Sequence, residues 1–193
     1  MKAEESFDVV DENDQVIGQE TRATVHAQNL LHRAVHILIF NTAGELLLQK
    51  RSPFKDLHPH LWVTSCSGHV DAGESYETAC AREIHEELGL NPAPPLQPLF
   101  KLTPCEETGW EFVWIYRGIH NGPFHFQEEE ISEVRFFSTS EINDWIQNKP
   151  QELTPSFHLI WKKINLIREN TLDLRIDHTL SKERRIYHRV NGG

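Results

Sequence analysis

A crowded acidic helix places the strongest constraint on what this sequence can fold into. Residues 68–90 read GHVDAGESYETACAREIHEELGL, which predicts a helix from about residue 76 to 88 that ends at Gly89. Three glutamates share one face of this helix: Glu83, Glu86 and Glu87. At about 100° per residue, the second lies roughly 60° to one side of the first and the third roughly 40° to the other. Like charges at this spacing destabilise an isolated helix by about 0.2–0.5 kcal/mol per pair, so something positive is expected nearby.

Clustered carboxylates suit a hard divalent cation. Mg²⁺ binds a few carboxylate oxygens and otherwise keeps waters and substrate phosphates as ligands. A bound cation of this kind neutralises charge on a diphosphate and lowers the pKa of an attacking water. The sequence therefore predicts that Glu83, Glu86 and Glu87 are metal ligands, and the alternative is an acidic, solvated helix face.

The residues around this helix stand at fixed offsets. The order is Gly68, five residues, Glu74, seven residues, Arg82, Glu83, Ile84, one residue, Glu86, Glu87, one residue, Gly89 and Leu90. This order matches the pattern GX5EX7REUXEEXGU, in which U is aliphatic, and so resembles the box of the Nudix superfamily. The resemblance implies an α+β fold, namely a Nudix-type α/β/α sandwich with a mixed sheet and a strand-loop-helix catalytic module. It also implies hydrolysis of small-molecule diphosphates with Mg²⁺ or Mn²⁺.

The resemblance implies a role for most residues of the box. Glu83, Glu86 and Glu87 hold metal, together with the backbone carbonyl of Gly68, and the catalytic base comes from this set or from another part of the fold. Arg82 matches the arginine that pairs with the box glutamates and orients them. These five residues are the predicted catalytic and metal-binding set.

A second resemblance lies upstream of the helix. Residues 30–69 are similar to type I isopentenyl-diphosphate isomerase, a Nudix relative with different chemistry. This similarity implies that Arg51 and Lys55 hold the substrate diphosphate. An arginine fork and a lysine point charge both suit phosphate oxygens. The alternative is ordinary solvation at the end of a hairpin and in a loop.

The same similarity raises the question of a second metal site. His32, His69 and Glu111 match isomerase metal ligands. His26 lies one residue away from the position of a further histidine ligand of the isomerase. The remaining acidic ligand falls around Gly109, so the set looks incomplete. Histidines with a purely structural role are the alternative, and a lone histidine is more often structural than a ligand.

One position argues against isomerase activity. The isomerase needs a cysteine for proton transfer directly before the Gly-His pair, and this chain has Ser67 there. Cys66 comes one residue earlier, so on a strand it points to the opposite face. With the glutamates intact, we expect a pyrophosphohydrolase. Isopentenyl-diphosphate isomerase is the alternative, and a binding module without turnover is a third hypothesis that would require the loss of a box glutamate.

Two other groups of residues are candidates for the substrate site. Four aromatic residues are candidates to line a pocket for a base or an isoprenoid tail, with core packing as the alternative: Trp62, Trp110, Phe112 and Trp114. Strand alternation predicts that the last three share one face. The turn at 128–130 is acidic and is a candidate for a further ligand or the general base, unless it is simply solvated.

Length and charge bound the rest. The 193 residues predict one domain over 1–170, with strands in 1–30 as an extension and a basic tail at 171–193. A net charge of −10 argues against nucleic acid as a partner. No apolar run predicts a membrane span or a secretory signal, and three cysteines form no disulfide framework, so we expect a cytoplasmic protein. Dimers are common in the superfamily, which leaves a homodimer open.

Overall fold

The computed structural model describes residues 5–168, which contain a mixed sheet, a separate hairpin and several helices. The elements in chain order are β1 (Ser6–Val10), β2 (Val16–Thr21), α1 (Arg22–Gln28), β3 (His32–Phe40), β4 (Leu46–Arg51), β5 (Trp62–Val63), β6 (Cys66–His69), α2 (Tyr76–Leu88), β7 (Gln97–Leu102), β8 (Glu111–Ile119), β9 (Ile131–Phe137), α3 (Thr139–Asn148) and a 3₁₀ turn at Pro150–Glu152. Residues 155–168 are also helical. The basic tail predicted at 171–193 lies outside the described residues.

The strand β3 is the centre of a seven-stranded mixed sheet. It pairs in parallel with β8 and antiparallel with β6, and it meets β4 at the Phe40–Leu46 pair. On the outer sides, β4 pairs with β5 and β9, and β7 pairs with β8. Residues 34–39 of β3 are buried, as a continuous apolar run predicts for a strand covered on both faces.

Helices cover both faces of this sheet. On one face, α2 buries Ala79, Ile84 and Leu88 in a core cluster with residues of β3 and with Leu47 of β4. On the other face, the indole of Trp145 in α3 contacts Trp62 and Phe137. Phe137 pairs with Leu46, so it points away from the face that holds Leu47. The predicted α+β sandwich is confirmed.

The N-terminal hairpin forms its own two-stranded sheet against the loop that precedes α2. Phe7 of β1 forms a bridge with Asp71, and the Gly73 amide donates to Asp8 Oδ2 at 3.1 Å. The helix α1 follows β2 directly and was not predicted, because seven residues give too short an apolar period. Its one local signal is Thr21, whose hydroxyl accepts from the Thr24 amide as an N-cap.

Residues up to Phe157 form one compact unit, and a second unit begins at His158. The functional residues discussed below all belong to the first unit. Across residues 5–168, no helix has both the length and the apolar character needed to cross a bilayer.

Candidate metal and diphosphate site

The helix α2 has the bounds that the sequence predicts. Ser75 caps its start by accepting from the Thr78 amide at 3.2 Å, and Gly89 ends it in the left-handed conformation with φ 68°. Only glycine adopts that backbone readily, so the end of the helix follows from local chemistry. These two residues fix the rotation of the helix and therefore the direction of its acidic face.

The three glutamates of that face have different surroundings. Glu83 is buried, Glu87 is half-buried, and the Glu86 side chain is 58% exposed. Glu87 Oε2 accepts from the Ser67 amide at 3.0 Å and from Gln49 Nε2 at 2.9 Å. These contacts hold the Glu87 carboxylate against the backbone of β6.

The guanidinium of Arg82 organises the carboxylates beside it. It binds both carboxylate oxygens of Glu74, through Nε at 3.1 Å and NH2 at 2.8 Å. Its NH1 donates to Glu83 Oε1 at 2.6 Å, and NH2 also donates to the backbone carbonyl of His69 at 2.9 Å. The planar fork thus ties α2 to the end of β6, a geometry that one lysine nitrogen cannot reproduce.

Gly68 lies where no side chain fits. A Cβ built on it would come within 2.0 Å of the Glu83 carboxylate. Because Glu83 is buried and held by Arg82, that carboxylate cannot simply swing aside. The backbone of β6 and the acidic face of α2 therefore approach each other directly at this point.

The electrostatics of the site call for a positive group. Burial raises the pKa of Glu83 to about 8, Glu87 raises it further, and Arg82 opposes the shift. Burial also raises the pKa of Glu87, against the hydrogen bond from the Ser67 amide. The buried carboxylate of Glu83 and the half-buried one of Glu87, beside the backbone of β6, fit a divalent cation, with Glu83, Glu86, Glu87 and the Gly68 carbonyl as ligands. The assignment of these ligands remains a prediction.

The predicted diphosphate-binding pair lies close to this acidic face. Burial lowers the pKa of Arg51, while Glu87 and Glu130 act in the opposite direction. Arg51 Nε donates to the Leu57 carbonyl at 2.9 Å. Lys55 forms an ion pair with Glu130, so the acidic turn at 128–130 contacts one member of the basic pair directly. Arg51 and Lys55 both interact electrostatically with Glu87, and their role in binding a diphosphate stays a prediction.

A histidine cluster lies on the other face of β6. His26 of α1, His32 of β3 and His69 of β6 offer ring nitrogens that all lie within 4.8 Å of one another. Glu111 Oε1 is 3.0 Å from His69 Nε2 and 3.3 Å from His32 Nε2. The Phe7 ring stacks on His69 with the centroids 4.5 Å apart.

The chemistry of this cluster also fits a metal ion. His32 Nδ1 contacts the Leu30 carbonyl at 2.9 Å, which directs Nε2 into the cluster. The Nε2 atoms of His26 and His32 are buried, and within residues 5–168 neither makes a hydrogen bond of good geometry, although His32 Nε2 has the 3.3 Å ion-pair contact with Glu111. Burial would raise the pKa of Glu111, but His32 and His69 lower it to about 2. His26 belongs to the cluster despite its shifted place in the sequence, because α1 presents it there.

Ser67, directly before Gly68, and Cys66 lie on opposite faces of β6, as predicted. Cys66 is fully buried in the core cluster under α2, and burial raises the pKa of its thiol. The opposite face of β6 carries Ser67 and His69, since side chains alternate along a strand. The prediction that Cys66 points away from the isomerase position is confirmed.

The aromatic candidates divide between core and surface. Trp62 and Phe112 are buried, and Trp114 packs against the core cluster, so these three are packing residues. Trp110 precedes β8, has φ 66° and is 41% exposed. The prediction that Trp110 shares a strand face with Phe112 and Trp114 was wrong, because β8 begins at Glu111 and Trp110 belongs to the preceding turn.

The mixed sheet, the α2 glutamates and the neighbouring basic pair are those of a Nudix-type domain. Residues 30–157 match the family model of the NUDIX domain. That match covers more than half of the chain, and the chain therefore belongs to the NUDIX family.

Its relatives carry two kinds of name. An isopentenyl-diphosphate Delta-isomerase of Serratia proteamaculans is 34% identical over 166 residues, which cover 83% of this chain and 92% of the relative. An uncharacterized Nudix hydrolase of Yersinia pestis is 36% identical over 143 residues, which cover 72% of this chain and 75% of the relative. The chain is thus similar to hydrolases and isomerases alike.

Solved structures agree on the fold. The crystal structure of DR0079 from Deinococcus radiodurans has a TM-score of 0.73 at 27% identity and covers 82% of this chain and 98% of its own. That of a MutT protein from Methanosarcina mazei has a TM-score of 0.59 at 25% identity and covers 72% and 95%.

Proposed function

We propose that this chain is a pyrophosphohydrolase that cleaves a diphosphate linkage in a small molecule, such as a nucleoside diphosphate linked to a further group. The proposal includes Mg²⁺ or Mn²⁺ as the cofactor. It also includes a cytoplasmic location and a free small molecule, not nucleic acid, as the substrate.

The observation that carries the proposal is the convergence of two carboxylates on the backbone of β6, Glu83 at Gly68 and Glu87 at the Ser67 amide. When bound there, a divalent cation neutralises the charge of the diphosphate and lowers the pKa of water. Arg82 holds Glu83 in place, and Arg51 with Lys55 positions the phosphate that is not attacked. A water oxygen then bonds to one phosphorus while the bond from that phosphorus to the bridging oxygen breaks. The products are two phosphate-bearing fragments, one of which is free phosphate when the substrate ends in a diphosphate.

The histidine cluster favours a second candidate function. Three imidazoles and Glu111 resemble the metal ligands of the isomerase, and one relative carries that name. We propose that the cluster holds a divalent metal. This chain nevertheless has Ser67 where the isomerase needs a cysteine. A serine hydroxyl is a far weaker acid than a thiol at neutral pH, so it is a poor replacement in the proton transfer. Hydrolysis therefore remains the first proposal.

The two candidates differ in their products. The test measures cleavage of the diphosphate with Mg²⁺ or Mn²⁺, followed by phosphorus NMR as new phosphate monoesters or free phosphate, on a panel that includes isopentenyl diphosphate and nucleoside diphosphate sugars. We expect metal-dependent cleavage of at least one compound and loss of cleavage after chelation. Conversion of isopentenyl diphosphate to its allylic isomer, without cleavage of any compound, would favour the isomerase.

A further inference from the structure

A buried glutamine of β4 contacts the acidic face of α2. Gln49 is 1% exposed, although its side chain is polar. Its backbone is held on both edges of the strand, because Gln49 pairs with Val63 of β5 and with Val134 of β9. A residue held in this way on a strand places its side chain more precisely than a residue on a loop does.

The side-chain amide of Gln49 and the backbone amide of Ser67 donate to the same oxygen of Glu87. The distances to Glu87 Oε2 are 2.9 Å from Gln49 Nε2 and 3.0 Å from the Ser67 nitrogen. One donor comes from β4 and the other from β6, so the carboxylate bridges two strands that both pair with β3. Two donors from separate strands restrain the rotation of the Glu87 carboxylate, and the loss of either would loosen it.

The second polar atom of the Gln49 amide has no such contact. Within residues 5–168, Gln49 Oε1 is buried and has no hydrogen-bond partner. A carboxylate only accepts hydrogen bonds, so the amide has to turn its NH₂ group towards Glu87 and its oxygen away. A buried acceptor without a partner lowers the stability of a fold. An apolar side chain of the same length would avoid that loss, which indicates that the contact with Glu87 is what the glutamine provides.

We propose that Gln49 is a positioning residue of the metal site, which holds Glu87 Oε2 and so directs the carboxylate towards the divalent cation. This inference rests on the proposed function, since it assumes that Glu87 is a metal ligand. Gln49 lies 38 residues before Glu87, outside the box pattern, so the pattern does not point to it. Replacing a partner that orients a metal ligand typically lowers metal affinity or activity roughly 10- to 100-fold.

The test measures Mg²⁺ binding to the full chain by isothermal titration, without substrate. Mg²⁺ is the probe because it prefers oxygen ligands, whereas the histidine cluster offers mainly imidazoles. Gln49→Met removes both polar atoms and keeps the length of the side chain. We expect the dissociation constant for Mg²⁺ to rise at least about tenfold. Gln49→Leu, a second apolar replacement, should give the same result.

Thermal melting without metal separates positioning from a purely structural role. Gln49→Met loses a hydrogen bond to Glu87 but also removes the acceptor without a partner, and these effects oppose each other. We therefore expect the melting temperature of the metal-free chain to stay within about 4 °C of wild type. A large fall in melting temperature with unchanged Mg²⁺ affinity would show that Gln49 only stabilises the fold.

Gln19→Met is the matched control. Gln19 Nε2 donates to Asp8 Oδ1 at 2.9 Å, so this variant removes a glutamine–carboxylate bond of the same length in the N-terminal hairpin. We expect its dissociation constant for Mg²⁺ to stay within about twofold of wild type, since distant sites act independently. If Gln49→Met and Gln19→Met bind Mg²⁺ equally well, Gln49 does not position a ligand.

A double variant tests whether Gln49 acts through Glu87. In the Glu87→Gln background, Gln49→Met should change Mg²⁺ binding by less than about twofold, because the carboxylate that Gln49 holds is already gone. An equal loss in both backgrounds would overturn the inference, and so would the absence of Mg²⁺ binding to the unmodified chain.

Failure of the positioning role and failure of the hydrolase give different results. If Gln49→Met weakens Mg²⁺ binding and the unmodified chain cleaves no diphosphate of the panel, the positioning role stands and the proposed hydrolysis fails. If the unmodified chain cleaves a diphosphate and Gln49→Met binds Mg²⁺ as wild type does, hydrolysis stands and the positioning role is wrong.

Discussion

Two groups of candidate metal ligands use opposite faces of the same four-residue strand, β6. At Gly68 the strand faces α2, where Glu83 and Glu87 approach its backbone. At the next residue, His69 points to the other face and joins His26 and His32. Alternation along a strand thus separates an oxygen-rich site from a nitrogen-rich one by a single residue.

The two sites differ in how their charge is balanced. On the α2 side, burial raises the pKa of Glu83 to about 8, and among described residues Arg82 is the cation bonded to it. On the other side, His32 and His69 already lower the pKa of Glu111 to about 2. The oxygen site suits Mg²⁺, whereas imidazoles suit ions such as Zn²⁺. The comparison teaches that ligand type, more than distance, distinguishes the ions that the two faces suit.

The largest expected effect is on hydrolysis. Glu87→Gln removes one negative charge but keeps a group of the same size beside Ser67 and Gln49. We expect metal-dependent phosphate release to fall by more than about 100-fold, since metal-based charge stabilisation contributes several kcal/mol. Steady-state assays and thermal melting give the activity and the fold. Glu133→Gln, an exposed change on β9, is the control, and wild-type activity in Glu87→Gln would contradict the glutamate site.

Replacement of the orienting arginine is expected to have the next largest effect. Arg82→Lys leaves one nitrogen where three now serve Glu74, Glu83 and the His69 carbonyl. We expect kcat to fall about 10- to 100-fold, the range for partners that orient metal ligands. The control is Arg117→Lys on β8. Equal activity in both variants would show that the guanidinium fork does not orient the site.

The close approach at β6 is tested by a pair of glycine variants. Gly68→Ala places a methyl group against the Glu83 carboxylate, so we expect a loss of about 1–3 kcal/mol in the free energy of unfolding. Displaced ligands should also lower phosphate release at least about tenfold. Gly18→Ala is the matched control, because a Cβ there meets nothing within 4 Å. If the two variants behave alike, Gly68 has no special role.

A change in the histidine cluster should affect Zn²⁺ binding and leave Mg²⁺-dependent hydrolysis nearly unchanged. His26→Gln removes one of three imidazoles, and we expect Zn²⁺ binding, measured by titration, to weaken at least about tenfold. Phosphate release with Mg²⁺ should stay within about threefold, because the glutamates are untouched. His85→Gln, exposed on α2, is the control. A parallel loss of Mg²⁺-dependent hydrolysis would show that the two sites act as one.

The smallest effect is expected at Asp14, which joins the N-terminal hairpin to β3, α2 and β7 through Arg33, Tyr76 and Lys101. Burial would raise its pKa, but hydrogen bonds from Lys101, Arg33 and Tyr76 lower it below the ordinary 3.8. Its contribution is therefore complete above that value and is lost as the pH falls through the lower folded pKa. We expect Asp14→Asn to lose about 1–3 kcal/mol at pH 7 with activity unchanged.

Urea unfolding at several pH values checks this prediction. The difference between wild type and Asp14→Asn should shrink below about pH 4, where the unfolded-state carboxylate becomes protonated. Asp144→Asn, at an exposed position in α3, is the control and should match wild type throughout. A difference that stays constant down to pH 2 would contradict the assigned ion cluster.

Local signals explain what the sequence could predict. The bounds of α2 follow from Ser75 and Gly89. The shared face of the glutamates follows from helical geometry alone. The family pattern then added Gly68 and Arg82, whose contacts to Glu83 the structure shows.

Contacts between distant segments explain what it could not. Thr64 and Ser65 separate β5 from β6, because their side chains bond with His36 and with the Leu47 carbonyl. The partners of Asp14 lie 19 to 87 residues away. The place of His26 in its cluster depends on α1, a helix that the apolar periodicity of the sequence does not predict.

The central claim is that water attacks a diphosphate at the glutamate site. The most direct measurement is a reaction in ¹⁸O-labelled water with Mg²⁺, isopentenyl diphosphate and nucleoside diphosphate sugars, followed by mass spectrometry of the products. We expect one ¹⁸O atom in a phosphate-bearing product of at least one compound, and none with Glu87→Gln. An allylic isomer of isopentenyl diphosphate, with no ¹⁸O in any phosphate, would contradict the claim.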